Sequence, residues 1–227
     1  MSMLMTRTFG RWQVAQAGEL NYWQRPDTIE RHSNLDARRN YWRPYVDFIG
    51  SGRAIEPGDA LLDIGCGPTG IFTAIETEGR KVGLDPLIDE YRDHYPLCPG
   101  VEFLKCGGEQ IDLPDASFEH VFCLNALDHC LEPQRVLEES FRVLKPGGQF
   151  TLAVDVYNSS ARKWKALLSA HVKVRVFQKQ ELHPHKFVRK DVTAMLERVG
   201  LEPTADRALN SHRYILELVF LARKPEA

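Results

Sequence analysis

Gly65, Gly67 and Gly70 fall in G-x-G-x-x-G spacing within LLDIGCGPTG, residues 61–70. Ala60, Leu61 and Leu62 run into Asp63 just before that turn. Glycines at this spacing have a physical task. Without a Cβ, the chain can turn sharply and bring backbone N–H groups against a ligand. Pro68 has no N–H to lose and suits a first helical turn. IFTAIETEG, residues 71–79, reads as one short helix, so the unit is strand, glycine turn, helix. A second strand, KVGLD, ends on Asp85. An acid about 20 residues past the first glycine is placed to accept hydrogen bonds from ribose hydroxyls. This spacing implies a βαβ unit for a nucleoside-containing cofactor without saying which one.

A second group follows the fourth predicted strand, in NALDHC, residues 125–130. The C-terminal ends of parallel strands form the binding edge of such a sheet, so Asp128 and His129 face it. A histidine of ordinary pKa near 6.5 can take a proton from a hydroxyl acceptor. His129 and Asp128 are therefore the candidate catalytic residues. His183 and His185, in HPHKF, occupy another edge position. H-x-H with a distant acid could ligate a metal, but nothing in the sequence completes a site, and no metal is expected. Cys123 and Cys130 read as buried thiols.

Asp63 lies two positions before Gly65 and extends the turn to D-x-G-x-G. That pattern resembles the first motif of the class I S-adenosylmethionine (SAM)-dependent methyltransferases. GEQIDLPDASFEHV, residues 108–121, looks like the family's next signature. LEESFRVLKPGGQFTLAV, residues 137–154, resembles its helix, Lys-Pro-Gly-Gly turn and fifth strand. The matches run in the family's order across residues 60–154, and the broad small-molecule branch is the nearest in pattern. The resemblance implies SAM as cofactor. It puts Asp63 and the turn residues Gly65, Cys66, Gly67 and Gly70 at the methionine end. It gives Asp85 the ribose, and has Pro86 and Leu87 pack on the adenine. Glu109 falls where the family has the acid for the adenine amine, with Gln110 offering a neighbouring N–H; the usual aspartate is here a longer glutamate. Asn125, after the fourth strand, completes the cofactor set.

Methyl transfer from a sulfonium needs alignment more than a catalytic triad. The resemblance thus implies a methyltransferase for a small or medium acceptor, oxygen first and nitrogen second. Two rivals remain. One is a nicotinamide-dependent oxidoreductase, which shares the glycine spacing but needs neither Asp63 nor the later motifs. The chain also holds no Tyr-x-x-x-Lys pair, the proton-donor spacing of one large reductase family. The other is a SAM-binding module without turnover.

The elements that must position these residues alternate. Strands are expected near 60–64, 81–84, 101–105, 120–124 and 149–154, with helices near 69–78, 88–95 and 133–144. Such alternation argues a parallel sheet covered on both faces. With two later strands, the fold class is α/β, a doubly wound, mostly parallel seven-stranded sheet. Residues 1–58 read as a helical cap of two or three short helices (27–39 and 43–49 among them), punctuated by Pro26 and Pro44. Residues 59–227 form the SAM-binding domain, with a basic insertion at 159–190. Within the insertion a helix to 168 and a strand at 171–177 are expected, and a further helix spans 188–199. The last strand, 213–222, is expected to insert antiparallel beside a short one near 202–207.

At 227 residues the chain suits one domain with no disulfide staple. Five cysteines without a C-x-x-C pair imply reduced thiols and a cytoplasmic protein. No apolar run suggests membrane insertion. Residues 59–150 hold 17 acidic and 7 basic side chains, whereas 159–190 hold nine basic and one acidic. Such a basic stripe would steer a phosphorylated or carboxylated acceptor. A near-neutral total of −2 and no recognition motif argue against nucleic acid.

Overall fold

A computed structural model describes residues 3–157, 183–212 and 215–226. The helix and strand expected within 159–177 lie outside the described residues, as does most of the basic stripe. Three helices come first: α1 (Met3–Trp23), α2 (Pro26–Ser33) and α3 (Leu35–Gly52). The strands are β1 (Leu61–Ile64), β2 (Lys81–Leu84), β3 (Glu102–Leu104), β4 (Phe118–Leu124), β5 (Leu144–Tyr157), β6 (Glu202–His212) and β7 (Ile215–Arg223). Helices α4 (Ile88–Arg92), α5 (Pro133–Val143) and α6 (Arg189–Arg198) lie between them.

The seven strands form one sheet in the order β3-β2-β1-β4-β5-β7-β6. The first five run parallel, and β7 inserts antiparallel between β5 and β6, as expected. Alternation along the strands feeds two cores. Leu62, Ile64, Val121 and Cys123 face Val136 and Leu137 of α5 and Val192 and Leu196 of α6. Leu61, Phe122 and Leu124 face Tyr45, Phe48 and Ile49 of α3. Because β1 and β4 are neighbours whose C-terminal ends lead to loops 65–70 and 125–130, the sheet brings both chemical groups to one edge.

Three expectations are corrected. No helix spans 69–78; only a 3-10 turn, Ile71–Thr73, forms. Ile71, Thr73, Ile75 and Thr77 are β-branched, and so short a helix is marginal without a partner. The segment's polar groups go elsewhere. Thr77 Oγ1 donates to Pro57 O at 2.7 Å, and the Glu78 and Gly79 N–H groups donate to the same carbonyl. Helix α3 covers this face of the sheet instead, packing on Ile71, Phe72 and Ile75. Second, Pro44 does not punctuate the cap but lies inside α3. It is exposed, as is Asn40, so the carbonyl that loses its N–H partner can turn to water. Third, α5 ends at Val143 as expected, but the Lys-Pro-Gly-Gly segment is not a separate turn before the fifth strand: it lies within β5, which starts at Leu144. The register with β4 jumps between Leu144 and Gln149, so Lys145, Pro146 and the two glycines form a bulge in β5.

Candidate active site

The glycine turn is held from both sides. Gly65 and Cys66 N–H groups donate to Leu84 O, at 2.8 and 3.0 Å. Gly67 N–H donates to Asp85 Oδ2 at 2.9 Å, and Leu87 N–H donates to Asp85 Oδ1 at 2.8 Å. Asp85 therefore ties the turn to the end of β2. Gly65 has φ +70° and Gly67 φ +55°, a region open to glycine. A Cβ on Gly65 would stand 2.3 Å from the Ala126 Cβ, so the two loops approach closely there. At Gly67 a Cβ would meet only Trp23 Cζ2 at 4.0 Å, leaving the space above this residue for a ligand.

Asp63 lies beneath the turn and is buried. Burial pushes its carboxyl up to about 8, against the Ile71 N–H and with the nearby Asp85 adding to the rise. Its Oδ1 has no hydrogen-bond partner. Asp63 and Gly70 do not line the cavity above the turn. Asp85 is also buried but does line it, and burial lifts its carboxyl to about 6 against the Leu87 and Gly67 N–H bonds.

That cavity measures about 430 Å³. Of the expected cofactor residues, Gly65, Cys66, Gly67, Asp85, Pro86, Glu109 and Asn125 line it, and so does His129. Gln110 does not; it is exposed. Glu109 is partly committed, because its Oε1 accepts from Leu131 N–H at 2.7 Å at the approach to α5. The helical cap expected from the sequence forms the cover, although none of its residues was among the expected site residues. Trp12, Gln16, Glu19 and Trp23 of α1 and Arg38, Tyr41 and Trp42 of α3 are part of the lining. Trp23 packs edge-on against Tyr91 and Tyr95, and Tyr95 Oη donates to Trp23 O at 2.6 Å. The density of rings in residues 12–45 was the available signal.

A second cavity, also about 430 Å³, shares Asn125 and His129 with the first. Asp128, Asp155, His183, Asn210, Ile215 and Glu217 complete it. Its walls come from distant parts of the chain. Asp155 pairs with Glu217 across β5 and β7, and Asn210 with Glu217 across β6 and β7. Glu217 accepts from Asn125 Nδ2 at 2.8 Å, from Asn210 Nδ2 at 2.5 Å and from the Tyr45 hydroxyl. Asn125 sits at φ +55°, a conformation that asparagine tolerates better than most residues.

His183 Nδ1 lies 2.6 Å from Asp128 Oδ2, and the His129 and His183 rings are 4.4 Å apart. Burial alone would raise the Asp128 carboxyl, but the His183 bond and the neighbouring imidazoles hold it below its ordinary value. The same bond raises His183. His185 turns away, with Nε2 2.9 Å from Cys130 O. The structure thus joins Asp128, His129 and His183, a grouping that the sequence had left in two separate edge positions.

The comparisons with known proteins agree with this fold. Residues 62–152 match the family model described as a methyltransferase domain. The chain is 28% identical over 193 residues to 24-methylenesterol C-methyltransferase 2 of Arabidopsis thaliana, covering 81% of this chain and 52% of that protein. It is 28% identical over 188 residues to sterol 24-C-methyltransferase of Yarrowia lipolytica, covering 77% and 47%. It spans about half the length of the curated relatives it matches. A SAM-dependent methyltransferase of Methanosarcina mazei superposes with a TM-score of 0.62 at 21% identity, covering 81% of this chain and 98% of that one. With the glycine turn, Asp85 and the seven-stranded order in place, residues 62–152 are similar to a methyltransferase domain, and the fold is that of the solved SAM-dependent methyltransferase.

Proposed function

We propose that this chain transfers the methyl group of SAM to a small or medium acceptor, with SAM in the first cavity and the acceptor in the second. One observation carries this reading: the two cavities meet at Asn125 and His129. The first cavity suits the cofactor because Gly67 leaves free the space that a Cβ would fill, beside a buried carboxylate at the ribose position. Bound there, SAM supplies an activated methyl on a cationic sulfonium. Asp85 would accept from the ribose hydroxyls and Glu109 from the adenine amine. Gly65, Cys66 and Gly67 would cradle the methionine end, with Asp63 and Gly70 shaping that turn from below. Pro86 and Leu87 would flank the base, and Trp23 would exclude water. His129 and Asp128 would hold the acceptor and take its proton.

Oxygen is the first choice of acceptor atom and nitrogen the second. The relatives named as sterol C-methyltransferases raise carbon as a further reading, but a sterol wants apolar walls. The second cavity is lined by Asp128, Asp155, Glu217 and two histidines, with no lysine or arginine among the described residues. The expected anionic acceptor rested on the basic residues of 159–190. Of these only Lys186, Arg189 and Lys190 are described, and Arg189 pairs with Asp206 at 2.6 Å. An anionic acceptor would need a cation to offset the three carboxylates of the lining. Residues 1–58 are the cap and 59–227 the catalytic domain in this reading. Five free cysteines fit a cytoplasmic setting, and among the described residues no helix is long and apolar enough to cross a membrane.

The test has two stages. Calorimetry should show S-adenosylhomocysteine binding at one site per chain, with no binding of NAD. Labelled SAM and a metabolite extract should then give a labelled product. A chain that binds the cofactor but labels nothing would be the SAM-binding module instead.

A further inference from the structure

The geometry points to a divalent transition-metal site made by Asp128, His129 and His183 at the mouth between the two cavities. Among the described residues, each of these offers one ligand atom, and the three atoms lie within 4.8 Å of one another. His183 Nδ1 is 2.6 Å from Asp128 Oδ2, and His129 Nε2 is 3.7 Å from Asp128 Oδ1. Bonds of about 2.0–2.2 Å to a central ion put neighbouring ligand atoms roughly 3 Å apart. The observed spacings straddle that value. His183 is half-exposed and can open slightly to admit an ion in place of the shared proton.

The surroundings resemble those of a built site. Asp128 is buried at 4% exposure yet lines the second cavity. Glu19 Oε1 lies 3.4 Å from His129 Nδ1, on the ring nitrogen that faces away from Asp128. That nitrogen is buried with no aligned hydrogen bond within the chain. A carboxylate behind a ligating imidazole fixes its tautomer and strengthens it as a ligand. The segment bearing His183 is pinned beside Asp128, since His185 N–H donates to Asp128 O at 3.3 Å and the His185 ring reaches Cys130 O.

Two imidazoles and one carboxylate form a mixed nitrogen and oxygen set. It favours Mn²⁺, Fe²⁺, Co²⁺ or Zn²⁺ over Ca²⁺ or Mg²⁺, which prefer all-oxygen shells. Three protein ligands leave open positions, and these would face the cavity bounded by Asn125, Asp155 and Glu217. There an acceptor hydroxyl, carboxylate or phosphate oxygen could coordinate. The ion would also offset the carboxylates of the lining, and, with His129 and Asp128 spent as ligands, it would replace them in the proposed function by making a coordinated acceptor hydroxyl more acidic.

The probe is Mn²⁺, which binds the five free cysteines poorly. Chelator-stripped protein of residues 1–227 is titrated while free Mn²⁺ is followed by electron paramagnetic resonance. One tight site per chain is expected. His183→Gln and His129→Gln should each weaken it at least about tenfold, and Glu19→Gln by roughly tenfold through the imidazole it backs. His94→Gln, at an exposed histidine elsewhere, should leave it unchanged. No stoichiometric Mn²⁺ binding, or binding indifferent to both imidazole variants, overturns the site. Circular dichroism of each variant separates ligand loss from misfolding. S-adenosylhomocysteine affinity of the stripped protein is measured in parallel. Its failure would sink the methyltransferase reading while leaving the metal site standing, and the converse result would do the opposite.

Discussion

Asp85 is buried, carries no counter-charge among its hydrogen-bond partners, and still lines the cofactor cavity. A ribose hydroxyl donates more strongly to the ionised carboxylate than to the neutral acid, so binding must weaken as that carboxyl protonates. With its carboxyl lifted to about 6, affinity for S-adenosylhomocysteine should be flat above pH 6 and fall below it. Asp85→Ala should lose about tenfold to a hundredfold in affinity, the worth of a charge-assisted hydrogen bond of ~1.5–3 kcal/mol. Its pH dependence should vanish too. Calorimetry from pH 5 to 8 on both proteins decides it; equal affinities would remove Asp85 from the site. At Gly67 the prediction is steric. Gly67→Val should abolish cofactor binding with the sheet intact, because φ +55° and the open space above it both require glycine. Wild-type affinity in the valine variant would mean the ligand does not approach there. Both residues were legible from spacing alone. His183 was not joined to Asp128, because 54 residues separate them and only the folded sheet edge places them at 2.6 Å.

At the scale of elements, strands were read more faithfully than helices. The places of the parallel strands along the chain follow from apolar runs and glycine or proline breaks, whereas their order in the sheet was not read from the sequence. The helix after the glycine turn was misread because its pattern was judged without its neighbours. Thr77, Glu78 and Gly79 bond to the 57–59 loop, and α3 takes the vacant face. Asp63 holds the remaining 3-10 turn from below, through the Ile71 N–H. Its folded value of about 8 lies far above the ordinary range of an aspartate carboxyl, so between the two the native state keeps a proton that the unfolded state has released. Stability must then fall as pH rises from about 4 to about 8, and level off beyond it. Asp85 contributes the same sign, but only up to about pH 6. His183, raised by its bond to Asp128, adds a decline of the same sign above about pH 6.5, so Asp63 is read from the difference between two proteins. In unliganded protein, the melting temperature of Asp63→Asn should decline less from pH 6 to 8 than that of the wild type. Parallel curves would show that Asp63 is ionised in the folded chain.

For the whole molecule, the question is whether the N-terminal helices belong to the site or merely cover it. Among the described contacts, α1 touches the rest of the chain through few polar bonds. Tyr95 Oη donates to Trp23 O, and Gln16 Nε2 reaches His129 O at 3.5 Å. Yet Trp12, Gln16, Glu19 and Trp23 line the cofactor cavity at intervals of three or four residues, one face of a helix. If those walls complete the site, undocked α1 and bound cofactor exclude each other. Ligand at 100 times its dissociation constant then stabilises the docked state by ~2.7 kcal/mol, about a hundredfold in the opening equilibrium. Hydrogen exchange should show amides of residues 12–23 slowed by up to that factor on adding S-adenosylhomocysteine, while amides of α6 change little because that helix lies on the other core. The effect should grow in proportion to ligand concentration until exchange passes to global unfolding. Unchanged exchange in 12–23 at saturating ligand would mean that the α1 rings serve only to fasten the cap to the sheet.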